Sequence, residues 1–227
     1  MCEYVGYLFE CIKLDDEVDT DSVISVIDGL NNDDSVTGIM VQLPMPKNLD
    51  VYKILNAISP LKDVDGLTDI NCGKLFHNVD CLCSCTALGI MELLNQYNIS
   101  VTGKHVVILG RSNLVGKPLS MMMINAGACV TVCNSKTQNL SMYTKDADIL
   151  VSAISKPRFI TGDMIREDAV IIDVSINNTS ERICGDVDFD SVKDKTSYIT
   201  PVPGGVGPMT VAVLSRNILK AYGIKND

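Results

Sequence analysis

The stretch HVVILGRSNLVGKPLSMMMINAGACVTVC, residues 105–133, decides the fold. It opens with the apolar run His105–Leu109, continues through the glycine-bounded loop Gly110–Pro118, and closes with the apolar run Cys129–Cys133. Residues Pro118–Asn125 predict a helix with a proline at an early position, where its missing N–H breaks no hydrogen bond. Two apolar strands joined by a helix form a βαβ unit, and its strands are parallel.

The same alternation continues to the end of the chain. Because the apolar runs are almost continuous, we expect a parallel sheet covered on both faces, as in a Rossmann-like α/β domain. The further strands predicted are Ile149–Ala153, Val170–Val174 and Tyr198–Thr200. The helical segments predicted are a helix capped by Thr86, then Gln138–Thr144, Gly162–Glu167, Phe189–Asp194 and Thr210–Tyr222.

The N-terminal part predicts a second α/β unit. Tyr7–Leu14 and Gly38–Leu43 have the composition of strands, and helices are predicted after Asp19 and through Val51–Ile58. The polar stretch Lys62–Asp69 is expected to be an exposed loop. We therefore divide the chain into residues 1–67 with the closing helix 209–227, and residues 68–208.

Composition excludes several classes of protein. The 227 residues include 19 Lys and Arg against 28 Asp and Glu, a net charge of −9, with no basic cluster. A nucleic-acid partner is not expected, because such binding needs a basic surface. A membrane span is not expected either, since the apolar runs are short. No secretory signal is expected from the first ten residues, and we predict a cytoplasmic protein.

The nine cysteines are an odd number, and their one cluster is Cys81, Cys83 and Cys85. Alternate spacing places the three thiols on one face of an extended segment, whereas common zinc sites pair cysteines about two to four residues apart and add a second pair. We expect reduced thiols and no metal.

The loop after the first strand of residues 105–133 is a candidate phosphate-binding site. Gly110 and Gly116 allow a tight turn, and the following helix presents free N–H groups at its start. The loop alone fits an ordinary strand–helix turn equally well, because its spacing is not G-x-G-x-x-G. The next strand, however, ends without the acidic residue that holds an NAD ribose, and Arg111, Ser135 and Lys136 can meet a 2′-phosphate instead. The sequence therefore predicts NADP.

Two further loops have unusual composition. Lys62–Gly66 reads KDVDG, which is either a solvated charged turn or a binding loop. Pro201–Thr210 reads PVPGGVGPMT, and its prolines and glycines form a shaped loop that can lie against a flat ligand. A structural hinge is the alternative for this loop.

Six motifs occur in order: VQLPMP (41–46), KDVDGL (62–67), GRSNLVGKP (110–118), ADILVSA (147–153), GDVDFD (185–190) and TPVPGGVGPMT (200–210). Together they resemble the bifunctional methylenetetrahydrofolate dehydrogenase/methenyltetrahydrofolate cyclohydrolase family, along essentially the whole chain. The resemblance implies NADP-dependent oxidation of 5,10-methylenetetrahydrofolate and hydrolysis of the methenyl product to 10-formyltetrahydrofolate. It also implies a homodimer and a role in one-carbon metabolism, with purine and amino-acid biosynthesis.

The resemblance assigns the site residues. Asp65 would hold the pterin, and Gln42 would orient the catalytic base. The expected substrate-binding residues are Val41, Gln42, Leu43, Asp65, Pro203, Gly204, Gly205, Val206 and Gly207. The expected cofactor-binding residues are Gly110, Arg111, Ser112, Ser135 and Ile176, the last behind the nicotinamide.

The chain also departs from the family pattern. The family's Tyr-x-x-x-Lys helix, with a Tyr that stacks on folate and a Lys that transfers protons, would precede the stretch that matches Met1–Gly6. We therefore expect this chain to have negligible cyclohydrolase activity and weak folate binding, with NADP binding better preserved. Ser155 and Ser175 replace glycines, and Ala87 replaces a proline. Serine at a positive φ angle would cost roughly 1–2 kcal/mol, or crowd the nicotinamide.

Two alternative functions are considered beside the bifunctional enzyme. One is a folate- or NADP-binding module that has lost catalysis. The other is an NADP dehydrogenase acting on a small hydroxy acid, which would explain neither KDVDGL nor PVPGGVGPMT.

Overall fold

The computed structural model describes residues 6–15, 17–180 and 183–226. The chain divides into two compact units. The first contains the residues up to Lys74, residues 80–83, and the chain from Leu214 onward. The second contains residues 75–79 and 84–213.

Two capped helices build the core of the first unit. Helix α1 (Thr20–Asn32) begins after Asp19, whose carboxylate accepts a hydrogen bond from the Ser22 N–H at 2.8 Å. Helix α2 (Val51–Ala57) begins after Asp50, which accepts from the Lys53 N–H at 3.1 Å. Both caps satisfy N–H groups that the first helical turn leaves free. The apolar faces of the two helices meet in a cluster made by Val23, Ile27, Ile39, Leu49, Ile54 and Ile58.

The two strands predicted in this unit do not form, which corrects the sequence analysis. Residues 7–14 have no ladder hydrogen bonds, and the side chains of Leu8 and Phe9 are exposed. In the second predicted strand, Gly38–Leu43, only Ile39 makes a bridge, in parallel with Asp63. A strand needs a neighbour that accepts and donates along its length, and among the described residues of this unit only that single bridge is present.

The second unit follows the predicted alternation closely. Its strands are β1 (His105–Leu109), β2 (Cys129–Cys133), β3 (Ile149–Ser152), β4 (Val170–Asp173), β5 (Asn177–Asn178), β6 (Ile183–Cys184) and β7 (Tyr198–Ile199). The five-stranded sheet has the order β2-β1-β3-β4-β7, and all neighbouring strands are parallel. A small antiparallel hairpin, β5–β6, was not predicted.

The remaining helices differ from prediction mainly at their ends. Helix α3 (Asp69–Phe76) replaces the end of the expected 62–69 loop, and α4 begins after Ser84 rather than Thr86. The other helices are α4 (Cys85–Gln96), α5 (Gly116–Asn125), α6 (Ser141–Thr144), α7 (Phe189–Val192) and α8 (Val206–Asn226), and short 3₁₀ turns lie at Gly162–Met164 and Lys193–Lys195. No helix in the described ranges is long and apolar enough to cross a membrane.

The prediction of a sheet covered on both faces is confirmed. Every residue of β3 and β4 is buried, and so are four of the five residues of β1. Val107, Leu109, Leu150 and Ile171 contribute to one buried cluster beside the sheet. Edge strand β2 is more exposed, and the carboxyl ends of β1 and β2 lie side by side at one edge of the sheet.

Candidate functional site

The carboxyl ends of β1 and β2 bring the predicted cofactor residues to one place. Leu109 pairs with Cys133, and the Gly110 N–H donates to the Cys133 carbonyl at 2.9 Å. The loop that carries Arg111 and the loop that carries Ser135 therefore start from neighbouring positions. Ligands of open α/β sheets bind at this edge, outside the carboxyl ends of the strands.

Two glycines are required for the turn from β1 into α5. Gly110 has φ +110°, and a Cβ there would lie 2.4 Å from the Ala153 carbonyl oxygen. A Cβ on Gly116 would lie 2.1 Å from the Gly110 carbonyl oxygen. Ser112 closes the loop, because its hydroxyl accepts from the Val115 N–H at 3.1 Å. The turn thus delivers the start of a ten-residue helix, with its partial positive charge, to the sheet edge.

The donors at this edge are exposed, and the second loop carries no acidic residue. Arg111, Ser112, Ser135 and Lys136 are all exposed. The second loop is held by Asn134, whose side-chain oxygen accepts from the Lys136 N–H at 2.9 Å. Residues 133–137 include no carboxylate. A guanidinium in the loop before a helix start, with a hydroxyl and an ammonium in the neighbouring loop, fits a phosphate-bearing dinucleotide, which meets the requirement for NADP.

The glycine-rich loop before α8 also has the shape that the sequence predicted. The Val202–Pro203 peptide is cis, and Gly204 has φ +107°. A Cβ on Gly205 would lie 2.6 Å from the Pro201 carbonyl oxygen, so a side chain is excluded there. Val206, the first residue of α8, is buried and anchors the loop.

Ile176 lies against this loop. A Cβ built on Gly207 would be 3.8 Å from the Ile176 Cδ1 atom, and the Ile176 side chain is 59% exposed. An exposed aliphatic side chain beside a backbone loop is a surface on which a planar ring can pack. The structure thus brings together two predicted groups, one assigned to the cofactor and the other, Pro203–Gly207, to the substrate.

A buried aspartate beside the sheet edge was not singled out from the sequence. The Asp186 side chain is fully buried and accepts five hydrogen bonds. The donors are the Ser152 hydroxyl at 3.0 Å, the Ser175 hydroxyl at 2.7 Å, the Asn177 amide at 3.1 Å, and the N–H groups of Ile154 and Lys156, both at 2.8 Å. Asp186 therefore ties the ends of β3 and β4 to the hairpin that follows. The GDVDFD motif was the signal for it.

Asp173, at the end of β4, is a second buried carboxylate. It accepts from the N–H groups of Asp186 and Val187, both at 2.9 Å. Burial raises the pKa of the Asp173 carboxyl to about 6, and the Asp186 carboxylate adds to the rise, while the two N–H groups oppose it. Gly185 is required here, because a Cβ would lie 1.8 Å from an Asp173 carboxylate oxygen.

The two serines at glycine positions contact each other. Ser155 has φ +53°, so the expected backbone strain is present. Its N–H donates to the Ser175 hydroxyl at 3.1 Å, and that hydroxyl donates to Asp186. Ser175 is buried, and its side chain takes part in the Asp186 network. The Ser175 hydroxyl therefore makes two hydrogen bonds that a glycine at position 175 would lack.

In the first unit, the VQLP turn presents its polar side chain to solvent. Gln42 is exposed, and its amide donates to the Leu43 carbonyl at 2.9 Å. Val41 and Leu43 are half-buried, and the Leu43–Pro44 peptide is cis. The side-chain amide of Gln42 is therefore held at the turn by the backbone of the next residue.

The KDVDG loop is not the exposed turn that was expected. The Lys62 ammonium is buried and donates to three carbonyl oxygens at the end of α1, those of Leu30, Asn31 and Asp33, at 2.7–2.9 Å. A cation is favoured there, because the end of a helix has unsatisfied carbonyls and a partial negative charge. The sequence analysis missed this role for Lys62.

Asp63 anchors the other side of the same loop. Its buried carboxylate accepts from the Leu67 N–H at 3.1 Å, the Thr68 N–H at 2.8 Å and the Asn71 amide at 2.9 Å. These bonds tie the loop to the start of α3. The loop therefore has a defined conformation, in which Asp65 lies between the anchored residues Lys62 and Asp63 and the following Gly66.

Asp65 itself is half-buried, and Gly66 explains its position. Gly66 has φ +65°, and a Cβ there would lie 2.4–2.8 Å from the Cys83 backbone. Only glycine allows both the turn and this close approach.

The eight cysteines within the described residues are free thiols, and no group of three or more potential metal ligands occurs in that part of the chain.

Two family models match the chain. The tetrahydrofolate dehydrogenase/cyclohydrolase catalytic domain matches residues 1–65, and the NAD(P)-binding domain of the same family matches residues 84–226. The bifunctional protein FolD of Oceanobacillus iheyensis is 48% identical over 227 residues, which are the whole of this chain and 80% of that protein.

Solved structures agree. The bifunctional FolD dehydrogenase/cyclohydrolase of Campylobacter jejuni is 44% identical with a TM-score of 0.97, over 99% of this chain and 80% of its own. The Trypanosoma brucei FolD, solved with NADP cofactor and an inhibitor, is 34% identical with a TM-score of 0.94, over 98% of this chain and 78% of its own. The chain therefore belongs to the tetrahydrofolate dehydrogenase/cyclohydrolase family.

Proposed function

We propose that this protein oxidises 5,10-methylenetetrahydrofolate with NADP, and that the second reaction of the family, hydrolysis of 5,10-methenyltetrahydrofolate to 10-formyltetrahydrofolate, depends on the proton-transferring Lys of the Tyr-x-x-x-Lys segment. The observation that carries the proposal is the edge formed by β1 and β2. There, Arg111, Ser135 and Lys136 stand exposed beside a glycine-closed helix start, with no carboxylate in residues 133–137. This set of donors selects a 2′-phosphate over a free ribose hydroxyl.

Each part of the dinucleotide has residues suited to it. The start of α5, with Gly110 and Ser112, suits the pyrophosphate, because its N–H groups and dipole favour an anion. Arg111 supplies a planar group that can bind phosphate through two parallel hydrogen bonds. Ile176 offers an aliphatic surface to the nicotinamide. When bound, NADP supplies the hydride acceptor for the oxidation.

The proposed binding of folate rests on Asp65 and Gln42. A carboxylate accepts two parallel N–H bonds, which matches the amino and ring N–H groups of a pterin. The buried Lys62 and Asp63 hold the Asp65 loop in one conformation, so little ordering is needed when substrate binds. Val41 and Leu43, in the same unit, supply apolar surface for the rest of the ligand, and the resemblance assigns Pro203–Gly207 to the substrate as well.

In the oxidation, the residues act by orientation. Hydride transfer requires the one-carbon bridge and the nicotinamide to be held at contact distance. Alignment alone can lower the activation barrier by several kcal/mol, of the order of 7–11 at best. In the hydrolysis, water adds to the methenyl carbon and a C–N bond then breaks. Gln42 would orient the proton-transferring base, which the resemblance places in the Tyr-x-x-x-Lys segment.

The test combines binding and turnover. Purified protein is titrated calorimetrically with NADP, NAD and tetrahydrofolate, and the dehydrogenase reaction is followed by NADPH absorbance. We expect NADP to bind more tightly than NAD, and Asp65→Ala to weaken folate binding while NADP affinity is unchanged. Unchanged folate binding in a folded Asp65→Ala protein would refute the assigned role, and equal affinities for the two dinucleotides would refute NADP selectivity.

We further propose a homodimer in the cytoplasm that supplies one-carbon units for purine and amino-acid biosynthesis. Edge strand β2 supports a dimer, because its outer hydrogen-bonding groups can pair with a second copy. The odd number of cysteines supports a reducing compartment. The net charge of −9 argues against nucleic acid as a partner. Light scattering after size exclusion should give twice the chain mass, and a monomeric mass would contradict the dimer.

A further inference from the structure

Two cysteines of the first unit lie unusually close together. The Sγ atoms of Cys81 and Cys83 are 3.4 Å apart, and the Cys83 thiol is also 3.7 Å from the Cys81 carbonyl oxygen. Cys81 is buried at 7% exposure, whereas Cys83 is partly exposed. A disulfide has an S–S length near 2.05 Å, so bonding requires the sulfurs to approach by little more than an ångström. The spacing puts one thiol within reach of solvent and its partner directly behind it.

The surroundings divide the two thiols into different roles. The thiol hydrogen bond from Cys81 lowers the pKa of Cys83, and it outweighs the rise that burial causes. The positive charges of Lys220 and Arg216 lower this pKa as well, and the Asp80 carboxylate opposes them. The same hydrogen bond raises the pKa of Cys81, and burial adds to the rise. Lys220 is fixed by bonds to Asp80 and to the Cys81 carbonyl, the latter at 2.8 Å. The nucleophilic thiolate is therefore favoured on the more accessible sulfur.

We propose that Cys81 and Cys83 form a reversible dithiol–disulfide pair that is oxidised by hydrogen peroxide. The Cys83 thiolate attacks one peroxide oxygen, the O–O bond breaks, and the leaving hydroxide takes a proton to form water. Cys83 is then a sulfenic acid. The Cys81 sulfur attacks the Cys83 sulfur as its proton is lost, the S–O bond breaks, and a second water leaves. Two thiols are oxidised, one peroxide is reduced to two waters, and a dithiol reductant reverses the bond by exchange.

Formation of the disulfide between Cys81 and Cys83 would displace the KDVDG loop. The Asn217 amide donates to the Cys83 carbonyl at 2.8 Å and to the Val64 carbonyl at 2.9 Å, so one side chain joins the two segments. Gly66 packs directly on the Cys83 backbone. A displacement of Cys83 therefore moves the loop that carries Asp65. The consequence for folate binding rests on the proposed function, whereas the disulfide itself does not.

Mass spectrometry tests the bond. The full chain is treated with hydrogen peroxide, alkylated with iodoacetamide and digested with trypsin. We expect the peptide Leu75–Lys104 to lose two hydrogens and to carry one carbamidomethyl group, on Cys85, in place of three. In Cys81→Ser, dimedone should trap a sulfenic acid on Cys83, and Cys83→Ser should give neither product. Cys129→Ser, which removes an exposed thiol elsewhere, should behave as the unmodified protein. Full alkylation of Cys81 and Cys83 after peroxide, or a bond from either to Cys85, would overturn the proposal.

Hydrogen exchange tests the coupling to the loop independently of activity. The N–H groups of Leu67 and Thr68 report on the loop, because both donate to Asp63. We expect exchange at these two amides to become at least several-fold faster in the oxidised chain, and to return to its former rate with dithiothreitol. Unchanged exchange in a fully oxidised sample would refute the coupling. Reduced protein without dehydrogenase activity would count against the proposed function and leave both redox readouts intact.

Discussion

Removal of the Asp63 carboxylate should destabilise the first unit strongly, although Asp63 is two positions away from the residue assigned to substrate. The Asp63 side chain is 1% exposed and accepts three hydrogen bonds. In Asp63→Ala, the Thr68 N–H and the Asn71 amide are left buried without this acceptor. The N–H of the half-buried Leu67 can instead donate a hydrogen bond to water. A buried donor that loses its acceptor costs about 1–3 kcal/mol, so we expect a loss of roughly 4 kcal/mol.

Two variants separate hydrogen bonding from other effects. Asp63→Asn keeps the volume and one acceptor oxygen, so it should lose roughly half as much as Asp63→Ala. Asp65→Ala, in the same loop, should change the free energy of unfolding by less than about 1 kcal/mol, because its side chain is half-exposed. The comparison thus distinguishes an anchoring aspartate from a binding one.

Urea unfolding followed by far-ultraviolet circular dichroism measures these differences, and amide exchange at Leu67 and Thr68 localises them. A free energy of unfolding for Asp63→Ala within about 1 kcal/mol of the unmodified value would refute the reasoning, as would equal losses in Asp63→Ala and Asp65→Ala. The first result would mean that the buried N–H groups find other acceptors without loss of stability, and the second would mean that Asp65 anchors the loop as strongly as Asp63.

Three further predictions concern the second unit. Arg111→Ala should weaken NADP binding by about 1.5–3 kcal/mol and leave NAD binding unchanged in calorimetry, and an equal loss for both dinucleotides would contradict a 2′-phosphate contact. Because the pKa of Asp173 is about 6 in the fold against an ordinary 3.8, the folded state binds the proton more tightly, and this group's contribution to stability is lost as the pH rises from about 4 through 6. Asp173→Asn should flatten that slope of stability against pH, and an unchanged slope would assign it to other groups. Ser155→Gly should raise the free energy of unfolding by about 1 kcal/mol by relieving the positive φ angle, and a loss of stability would show that the hydroxymethyl group is needed.

The strands of the second unit could be predicted because their environment is uniform. Strands β1, β3 and β4 are covered on both faces, so the chain must be apolar at nearly every position, and the runs in the sequence mark them directly. The glycines that bound the β1–α5 loop were equally legible, because no other residue fits the contacts that they make. Predictions failed in the first unit, where the described residues supply no partner strands for the apolar runs at 7–14 and 38–43.

The sequence by itself determined the parallel sheet, the loop that carries Arg111, and the position of the Ser135 loop at the end of the neighbouring strand, because these depend on local runs and on the register of adjacent strands. Only the tertiary structure decided which acids and thiols are anchored and which are presented. Lys62 can be buried because carbonyl oxygens about thirty positions earlier accept hydrogen bonds from its ammonium group. Cys83 likewise contacts Gly66, which lies seventeen positions earlier. Such contacts join segments distant in the chain, and the burial that makes charge and thiol chemistry selective exists only after those segments have packed together.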